Sequence, residues 1–216
     1  MTLPTITTFA RVPDFARGFV RDIRARWAFE EVGQPYAVEL VRDAKGAEHR
    51  ARQPFGQVPT YADDEMQIFE SGAIVLRIAE RGGALLPDNP AARARAIQWL
   101  IAALNSVEPW VMQIAVVDLF EADKPWSAMR RDQVVADLNG RLTDLSAALG
   151  DRQWLDGDAF TVGDLMMVSV LGQLRNTDLL MHHPNLADYV TRGEARPAHV
   201  KAMADHLAVY DGQAAA

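Results

Sequence analysis

The stretch FGQVPTYADDEMQIFESGAIVLRIAE, residues 55–80, decides the fold. Its middle predicts a tight β-hairpin, because Thr60–Ala62 and Met66–Phe69 are short strand-like runs on either side of two aspartates. Pro59 comes directly before the hairpin. Since proline has no N–H to give to a sheet, its place beside a strand indicates an edge, a bulge or a special turn. The role of the turn around Pro59 is therefore the first question that this segment raises.

The segments on the N-terminal side of this turn alternate between strand and helix periodicity. In the first helical segment, Phe19, Ile23 and Trp27 recur every four residues, and Gly33 closes the helix. The predicted elements are a strand at 6–10, a helix at 15–32, a strand at 36–41, a short helix at 47–52, the hairpin, and a helix from Ser71 to about Arg81. This βαβ order, followed by a hairpin and a helix, predicts a small mixed sheet covered by helices.

The sequence changes character near residue 83. The stretch GGALLPDNP (82–90) holds two glycines and two prolines, and we interpret residues 83–89 as a linker. Only helical periodicity follows, over 91–120, 126–149, 162–176, 186–194 and 198–209. We therefore expect an α/β domain at 1–82 and an all-helical domain at 90–216.

Composition limits the classes of partner. Hydrophobic residues make up 49% of the 216 residues, enough to bury a core, and the formal net charge is −7. An acidic protein is a poor match for nucleic acid or an anionic membrane. We find no apolar run of the roughly 20 residues that cross a bilayer, and no signal-peptide pattern. We expect a cytoplasmic protein that has neither nucleic acid nor a membrane as its partner.

The sequence contains no cysteine, which excludes disulfides, thiolate metal sites and a cysteine nucleophile. Any thiol chemistry must therefore use a sulfur that a ligand supplies. The five histidines form no HExxH-type pair on one helical face, so no metal is predicted.

Three segments together resemble the cytosolic glutathione S-transferases. QPFGQVP (53–59) is similar to the family's N-P-x-G-x-[VI]-P turn, with glutamine in place of asparagine. FESGAI (69–74) resembles the acidic-Ser pair that opens the next helix, and DGDAFTVGD (156–164) resembles the turn and helix start of the second domain. In DGDAFTVGD, Thr161 and Asp164 are spaced as a capping box, a structural device. The resemblance covers nearly the whole chain.

The resemblance implies an α/β plus all-α protein, with an N-terminal thioredoxin-like βαβ-ββα domain and an all-helical C-terminal domain. It also implies a homodimeric detoxification enzyme with glutathione as co-substrate and without a metal. Such an enzyme stabilises the glutathione thiolate for attack on a small apolar electrophile or for reduction of a peroxide. The alternative is a non-catalytic binding or assembly module that keeps the fold without the chemistry.

The resemblance also implies which residues hold glutathione. In the family the bond before the proline is cis, so Val58 would present its N–H and C=O to the main chain of an extended tripeptide. A plain type VI turn without a ligand is the competing interpretation. Ser71 is expected to cap the next helix and to attract the γ-glutamyl carboxylate, while Glu70 accepts from the ammonium. Lys45 and Gln57 are expected to reach the glycyl carboxylate; the alternative for Lys45 is a solvated loop lysine.

The group that activates the thiol is missing from its usual place. Family members use a Tyr, Ser or Cys near the end of the first strand, and the first 35 residues contain none, with Val12 at the serine position. A thiol with a pKa of about 8.5 is mostly protonated at neutral pH, and nearby cations lower that pKa. We therefore predict that Arg11 and Arg17 stabilise the thiolate. The alternative is a solvated helix face on which arginines pair with acidic residues such as Asp14.

The electrophile pocket is predicted between the first loop and the helical domain. Its candidate residues are Phe15, Asn105, Trp110 and Met112. Because aromatic and methionine side chains at helical spacing more often form core, core packing is the alternative. The sequence does not identify the second substrate.

Overall fold

The structure, a computed structural model, describes residues 2–211. Its strands are β1 Thr5–Phe9, β2 Ala37–Val41, β3 Thr60–Ala62 and β4 Gln67–Phe69. Its α-helices are α1 Asp22–Val32, α2 Ala47–Arg50, α3 Ser71–Gly82, α4 Pro90–Ala102, α5 Glu108–Ala115, α6 Ser127–Leu149, α7 Val162–Leu171, α8 Pro184–Glu194 and α9 Pro197–Asp211. These elements form two compact units, one ending at Leu86 and resuming at Ala195, the other spanning Pro87–Glu194.

The first unit is built on a mixed four-stranded sheet of order β2-β1-β3-β4. β1 pairs in parallel with β2 and antiparallel with β3, which forms the hairpin with β4. Helices α1 and α3 pack on each other, and the fully buried side chains include Ile6, Trp27, Phe29, Tyr61 and Ile74. The predicted mixed sheet with covering helices is confirmed.

Helix α1 begins later than the sequence predicts. The expected start was Phe15, but that residue lies in a 3₁₀ turn, Asp14–Ala16, and the α-helix starts at Asp22. Gly18, between them, has a φ of 79°, a left-handed conformation that an α-helix cannot contain. Phe15 and Phe19 therefore lie outside the helix, and Phe19 is not part of the apolar stripe predicted for it with Ile23 and Trp27.

The second unit is helical in its described residues, as expected, but the helix predicted over 91–120 is not uniform. α4 and α5 are separated by a π-helical segment, Ala103–Val107, and a second one, Val116–Phe120, follows α5. Pro109 explains the first interruption, because it has no N–H for the carbonyl of Asn105 four residues earlier and its ring crowds that carbonyl.

The run Pro90–Phe120 is long and apolar enough to cross a membrane by length and composition, contrary to the expectation that no such run exists. The core helix of a soluble protein passes the same test. Here α4 packs against α7 inside the second unit, and Asp118 in the run pairs with Arg131 of α6 at 2.7 Å. These contacts tie the run to the second unit, in which 39% of its most apolar window is buried.

Helix α9 belongs to the first unit, whereas the sequence-based boundary placed it in the domain at 90–216. It packs along α1, where the His199 ring meets the Trp27 ring edge-on with centroids 4.6 Å apart. His206 Nδ1 lies 3.2 Å from the Asp22 carboxylate, and both side chains are fully buried. The chain thus returns to the unit in which it began.

The predicted capping box at the start of α7 is confirmed. Thr161 Oγ1 accepts from the Gly163 amide at 3.2 Å, and Asp164 Oδ2 accepts from the Thr161 amide at 2.9 Å. The other carboxylate oxygen of Asp164 accepts from the Leu155 amide at 2.8 Å and from the Tyr189 hydroxyl at 3.0 Å. Burial nonetheless raises the pKa of Asp164, which anchors the loop before α7 as well as the helix start.

Candidate functional site

The candidate site centres on the turn before β3. The peptide bond between Val58 and Pro59 is cis, as predicted. Among the described residues, no hydrogen bond uses the N–H or the C=O of Val58. Main-chain groups without a partner inside the protein are suited to pair with the main chain of a bound extended peptide.

Two buried side chains hold the residue that precedes Val58. The Gln57 amide donates to Gln53 Oε1 at 3.1 Å, and His49 Nε2 lies 2.6 Å from the Gln57 carbonyl. Because a carbonyl only accepts, that ring nitrogen carries the hydrogen. Gln53 and His49 are each 2% exposed, so the turn is fixed from inside the protein.

Sequence reasoning missed both of these roles. From the sequence alone, His49 is one of five histidines without a predicted site, and Gln53 is only a departure from the family's asparagine. The signal for Gln53 was its position, because an amide side chain four residues before Gln57 can accept from that residue's N–H. The sequence offers no comparable signal for His49.

The turn also packs closely against the loop that carries Lys45. Gly56 has a φ of 63°, and a Cβ there would lie 2.7 Å from the Ala44 carbonyl oxygen. Lys45 Nζ donates to the Phe55 carbonyl at 2.9 Å, and the side chains of Lys45 and Gln57 are exposed. The structure therefore brings Lys45 and Gln57 to one turn, while their contact with a glycyl carboxylate stays a prediction.

The start of α3 differs from the expected arrangement. Ser71 is the first helical residue and not the N-cap, a position that Glu70 occupies without a side-chain capping bond. Glu70 has a φ of 71° and a ψ of 117°, which costs a non-glycine residue on the order of 1–3 kcal/mol. Such strain clusters at ligand sites. Here it accompanies an exposed carboxylate next to the free N–H groups of a helix start.

An arginine that the sequence analysis did not select meets Ser71. Arg24 Nη1 donates to Ser71 Oγ at 3.1 Å, and the two residues are 1% and 6% exposed. The five arginines among the first 26 residues carry no pattern that separates this one from the rest. Only the packing of α1 on α3 brings it to the site.

The two arginines predicted to stabilise a thiolate differ in their surroundings. Arg11 is exposed. Arg17 Nε lies 3.2 Å from the Asp14 carboxylate, and its Nη1 lies 3.6 Å from the carboxylate of Asp211. The pairing with Asp14 is the one that the alternative interpretation expected, so part of the charge of Arg17 is already balanced.

The hydroxyl groups near the end of β1 are hydrogen-bonded to other hydroxyl groups in the core. Thr7 Oγ1 lies 3.1 Å from Thr60 Oγ1, and Thr8 Oγ1 lies 3.3 Å from the Tyr210 hydroxyl. These four residues are at most 3% exposed. They serve the packing of β1 and have no surface to offer a ligand.

The residues predicted for the electrophile pocket lie on both units. In the first, Phe15 is 50% exposed in the 3₁₀ turn after β1. In the second, Asn105 is exposed in the first π-helical segment, and Trp110 and Met112 are half-buried on α5. The Arg141 guanidinium lies 5.7 Å from the Trp110 ring centroid, so Trp110 also packs within its unit. A pocket formed by these residues stays a prediction.

Over the part of the chain that the structure describes, residues 2–211, no group of three or more histidine or acidic side chains is arranged to hold a metal ion.

The first unit, a mixed sheet with a cis-proline turn, is a thioredoxin-like domain, and the second unit is helical. Comparison with known proteins gives the family. Residues 16–80 match the model of the glutathione S-transferase N-terminal domain, and residues 128–192 match that of the glutathione S-transferase C-terminal domain. The chain belongs to the glutathione S-transferase family, which confirms the predicted family and fold class.

Individual relatives support the assignment. Glutathione S-transferase GstB of Escherichia coli (strain K12) is 31% identical over 186 residues, which cover 78% of this chain and 86% of that protein. Glutathione S-transferase F14 of Arabidopsis thaliana is 29% identical over 71% of this chain and 66% of its own length. The solved theta class glutathione S-transferase from the citrus canker pathogen Xanthomonas axonopodis pv. citri, with glutathione bound, is 26% identical with a TM-score of 0.77, covering 94% of this chain and 98% of that one.

Proposed function

We propose that this protein is a glutathione-dependent transferase that binds glutathione along the turn before β3 and stabilises its thiolate. The observation that carries the proposal is the cis Val58-Pro59 bond, with the main chain of Val58 open to a ligand and Glu70 and Ser71 following the hairpin. In this proposal the cysteinyl main chain pairs with Val58 as an added strand would.

Each end of the tripeptide carries charged groups that the proposed site can pair with groups of complementary charge or hydrogen-bonding capacity. Glu70 accepts from the γ-glutamyl ammonium, and Ser71 with the first N–H groups of α3 takes the carboxylate on the same carbon. At the other end, Lys45 and Gln57 serve the glycyl carboxylate. The first unit therefore supplies the glutathione site. The residues proposed to contact the electrophile are Phe15 in the first unit and Asn105, Trp110 and Met112 in the second.

The chemistry is attack of the bound thiolate on a small apolar electrophile, or reduction of a peroxide by it. Arg17 and Arg11 are the cations proposed to favour the ionised sulfur. The rate comes from holding the sulfur in place and from lowering its pKa. We further propose a cytoplasmic homodimer acting in detoxification.

A second candidate is a binding module that keeps glutathione but has lost catalysis. Two observations favour it: the Thr7 and Thr8 hydroxyls near the end of β1 are already hydrogen-bonded in the core, and two carboxylates balance part of the charge of Arg17.

Glutathione titration by calorimetry, followed by thiolate absorbance and a panel of electrophiles and peroxides, separates the two. We expect binding, a lowered thiol pKa and turnover. Ser71→Ala should weaken binding, whereas Asp144→Asn, at an exposed position on α6, should not. Binding without turnover supports the module, and an absence of binding contradicts both candidates.

A further inference from the structure

The hydroxyl of Ser71 has a defined hydrogen-bond polarity. Arg24 reaches it from α1, with Nη1 3.1 Å from Ser71 Oγ. A guanidinium has only donors, so Ser71 Oγ must accept in this contact. Arginine stays protonated at every relevant pH, so this direction does not reverse.

The serine hydrogen therefore points away from Arg24. Among the described residues, none accepts a hydrogen bond from Ser71 Oγ. Ser71 is 6% exposed, and a buried donor without an acceptor is costly. The position thus favours a ligand atom that accepts a hydrogen bond and disfavours one that only donates.

Glu70, the preceding residue, has the opposite hydrogen-bonding role, because it offers an acceptor where Ser71 offers a donor. Its ionised carboxylate can only accept, and its side chain is exposed. An acceptor followed by a donor matches an amino-acid head group, which carries an ammonium and a carboxylate on one carbon. Without Arg24, the Ser71 hydroxyl is able to accept as well as donate, and this discrimination weakens.

We infer that Arg24 is a positioning and specificity-determining residue: it fixes Ser71 as a donor and so favours a γ-glutamyl α-carboxylate, whose two oxygens are charged acceptors, over the corresponding amide, which presents one neutral acceptor and a donor group. The inference rests on the proposed glutathione site. It adds to that proposal a buried residue that does not itself touch the ligand but acts through Ser71. The buried guanidinium charge near the carboxylate works in the same direction.

The test compares two ligands by calorimetry: glutathione, and its analogue in which the γ-glutamyl α-carboxylate is an amide. The wild-type protein is expected to prefer glutathione by about tenfold or more, the range for a hydrogen bond to a charged group. Arg24→Gln should lose most of that preference, through weaker binding of glutathione and little change for the amide. Arg24→Lys, which still offers only donors, should retain part of the preference.

Two further variants separate positioning from general damage. Arg26 is a matched control, because it is also buried on α1 but donates to Asp22 at 2.7 Å. Arg26→Gln should lower the melting temperature and leave the preference in place. In a Ser71→Ala protein the preference should be weak already, and adding Arg24→Gln should change it much less than Arg24→Gln does in the wild type.

The outcomes distinguish the inference from the function on which it rests. If wild-type protein binds glutathione but Arg24→Gln weakens both ligands equally, or keeps the full preference, the inference is wrong and the proposed function stands. If wild-type protein does not bind glutathione, the proposed function fails and the inference fails with it. Should Arg24→Gln not fold, a folded Ser71→Ala protein that keeps the preference overturns the inference.

Discussion

Gly56 combines a left-handed backbone with a lack of space. Its φ is +63°, and a Cβ would lie 2.7 Å from the Ala44 carbonyl oxygen, whereas a Cβ at Gly33, with a φ of +65°, would have nothing within 4 Å. We expect Gly56→Ala to lower the free energy of unfolding by about 3 kcal/mol, because strain and a backbone clash add. Gly33→Ala should lose only about 1 kcal/mol, from strain alone. Urea unfolding measures both, and equal losses would show that the loop moves aside.

Gln53 acts on the site through the main chain of Gln57. Replacing it by leucine keeps the volume but removes the acceptor for the Gln57 amide, so the turn before Val58 should loosen. We expect the affinity for glutathione to fall about fivefold, the effect of losing one net hydrogen bond of about 1 kcal/mol. Calorimetry measures the affinity, and Gln133→Leu, at an exposed position on α6, is the control. An unchanged affinity would mean that His49 alone holds the turn.

At the scale of single elements, the start of α7 depends on Asp164. This fully buried carboxylate accepts from two amides and from the hydroxyls of Thr161 and Tyr189. Asp164→Ala should lower the free energy of unfolding by about 3 kcal/mol or more, since several buried donors lose their acceptor together. Tyr189→Phe, which removes one of the four donors, should lose about 1 kcal/mol. Thermal melts that show equal losses would contradict the central role of Asp164.

The hairpin between β3 and β4 is closed by Asp63, which predicts a pH effect. Its carboxylate accepts from the Tyr61 hydroxyl at 2.6 Å, and from Arg77 at 3.0 Å and Arg81 at 2.7 Å. Burial acts to raise the pKa of Asp63, but these hydrogen bonds and those from two backbone amides outweigh it and hold the pKa well below its usual range. Burial and the bond to Asp63 also raise the pKa of Tyr61 to about 12.

Because the folded-state pKa of Asp63 is depressed, its stabilising effect is present above the unfolded pKa and disappears as the pH falls through the folded value. Asp63→Asn should therefore unfold more easily than the wild type at pH 7, by about 2 kcal/mol. The difference should shrink as the pH falls below about 4, the unfolded value, which urea unfolding at a series of acidic pH values measures. Asp64→Asn, at the exposed neighbouring position, is the control and should change the free energy of unfolding at pH 7 far less than Asp63→Asn does.

At the scale of the whole molecule, the first unit needs a helix from the far end of the chain. α9 covers the face of α1 that carries Asp22, Arg26 and Trp27, each at most 2% exposed, and Arg196 binds Glu31 through two hydrogen bonds of 2.6 and 2.7 Å. A protein that ends at Glu194 would expose this face. We expect α1 to lose its protection in hydrogen exchange measured by mass spectrometry, with a cooperative transition left only for the second unit.

A protein that ends at Asp211 is the control for this truncation and should keep the protection of α1. If the shorter protein also keeps it, the first unit folds without α9, and the boundary drawn from the sequence at residue 82 describes an autonomous domain after all. The structure instead associates α9 with the first unit.

Much of the candidate site was predictable, because its signals are local. Val58, Pro59, Glu70 and Ser71 stand in motifs a few residues long, whose turn and helix-start chemistry is readable along the chain. Their neighbours in space were not predictable. Arg24 contacts Ser71 across 47 residues of sequence, and nothing in the spacing of the arginines singles it out.

The sequence by itself determined the order of strands and helices, the cis-proline turn, the capping box before α7 and the division into a mixed and a helical part. The elements, the capping box and the division follow from periodicity or turn chemistry within about ten residues, and the cis bond at Pro59 from the resemblance of the seven-residue motif around it. The tertiary structure alone decided which arginine meets Ser71, which side chains brace Gln57, and where α9 packs, with His206 reaching Asp22 over 184 residues. Contacts of that kind depend on which faces of distant elements are buried together, and no local pattern records that choice.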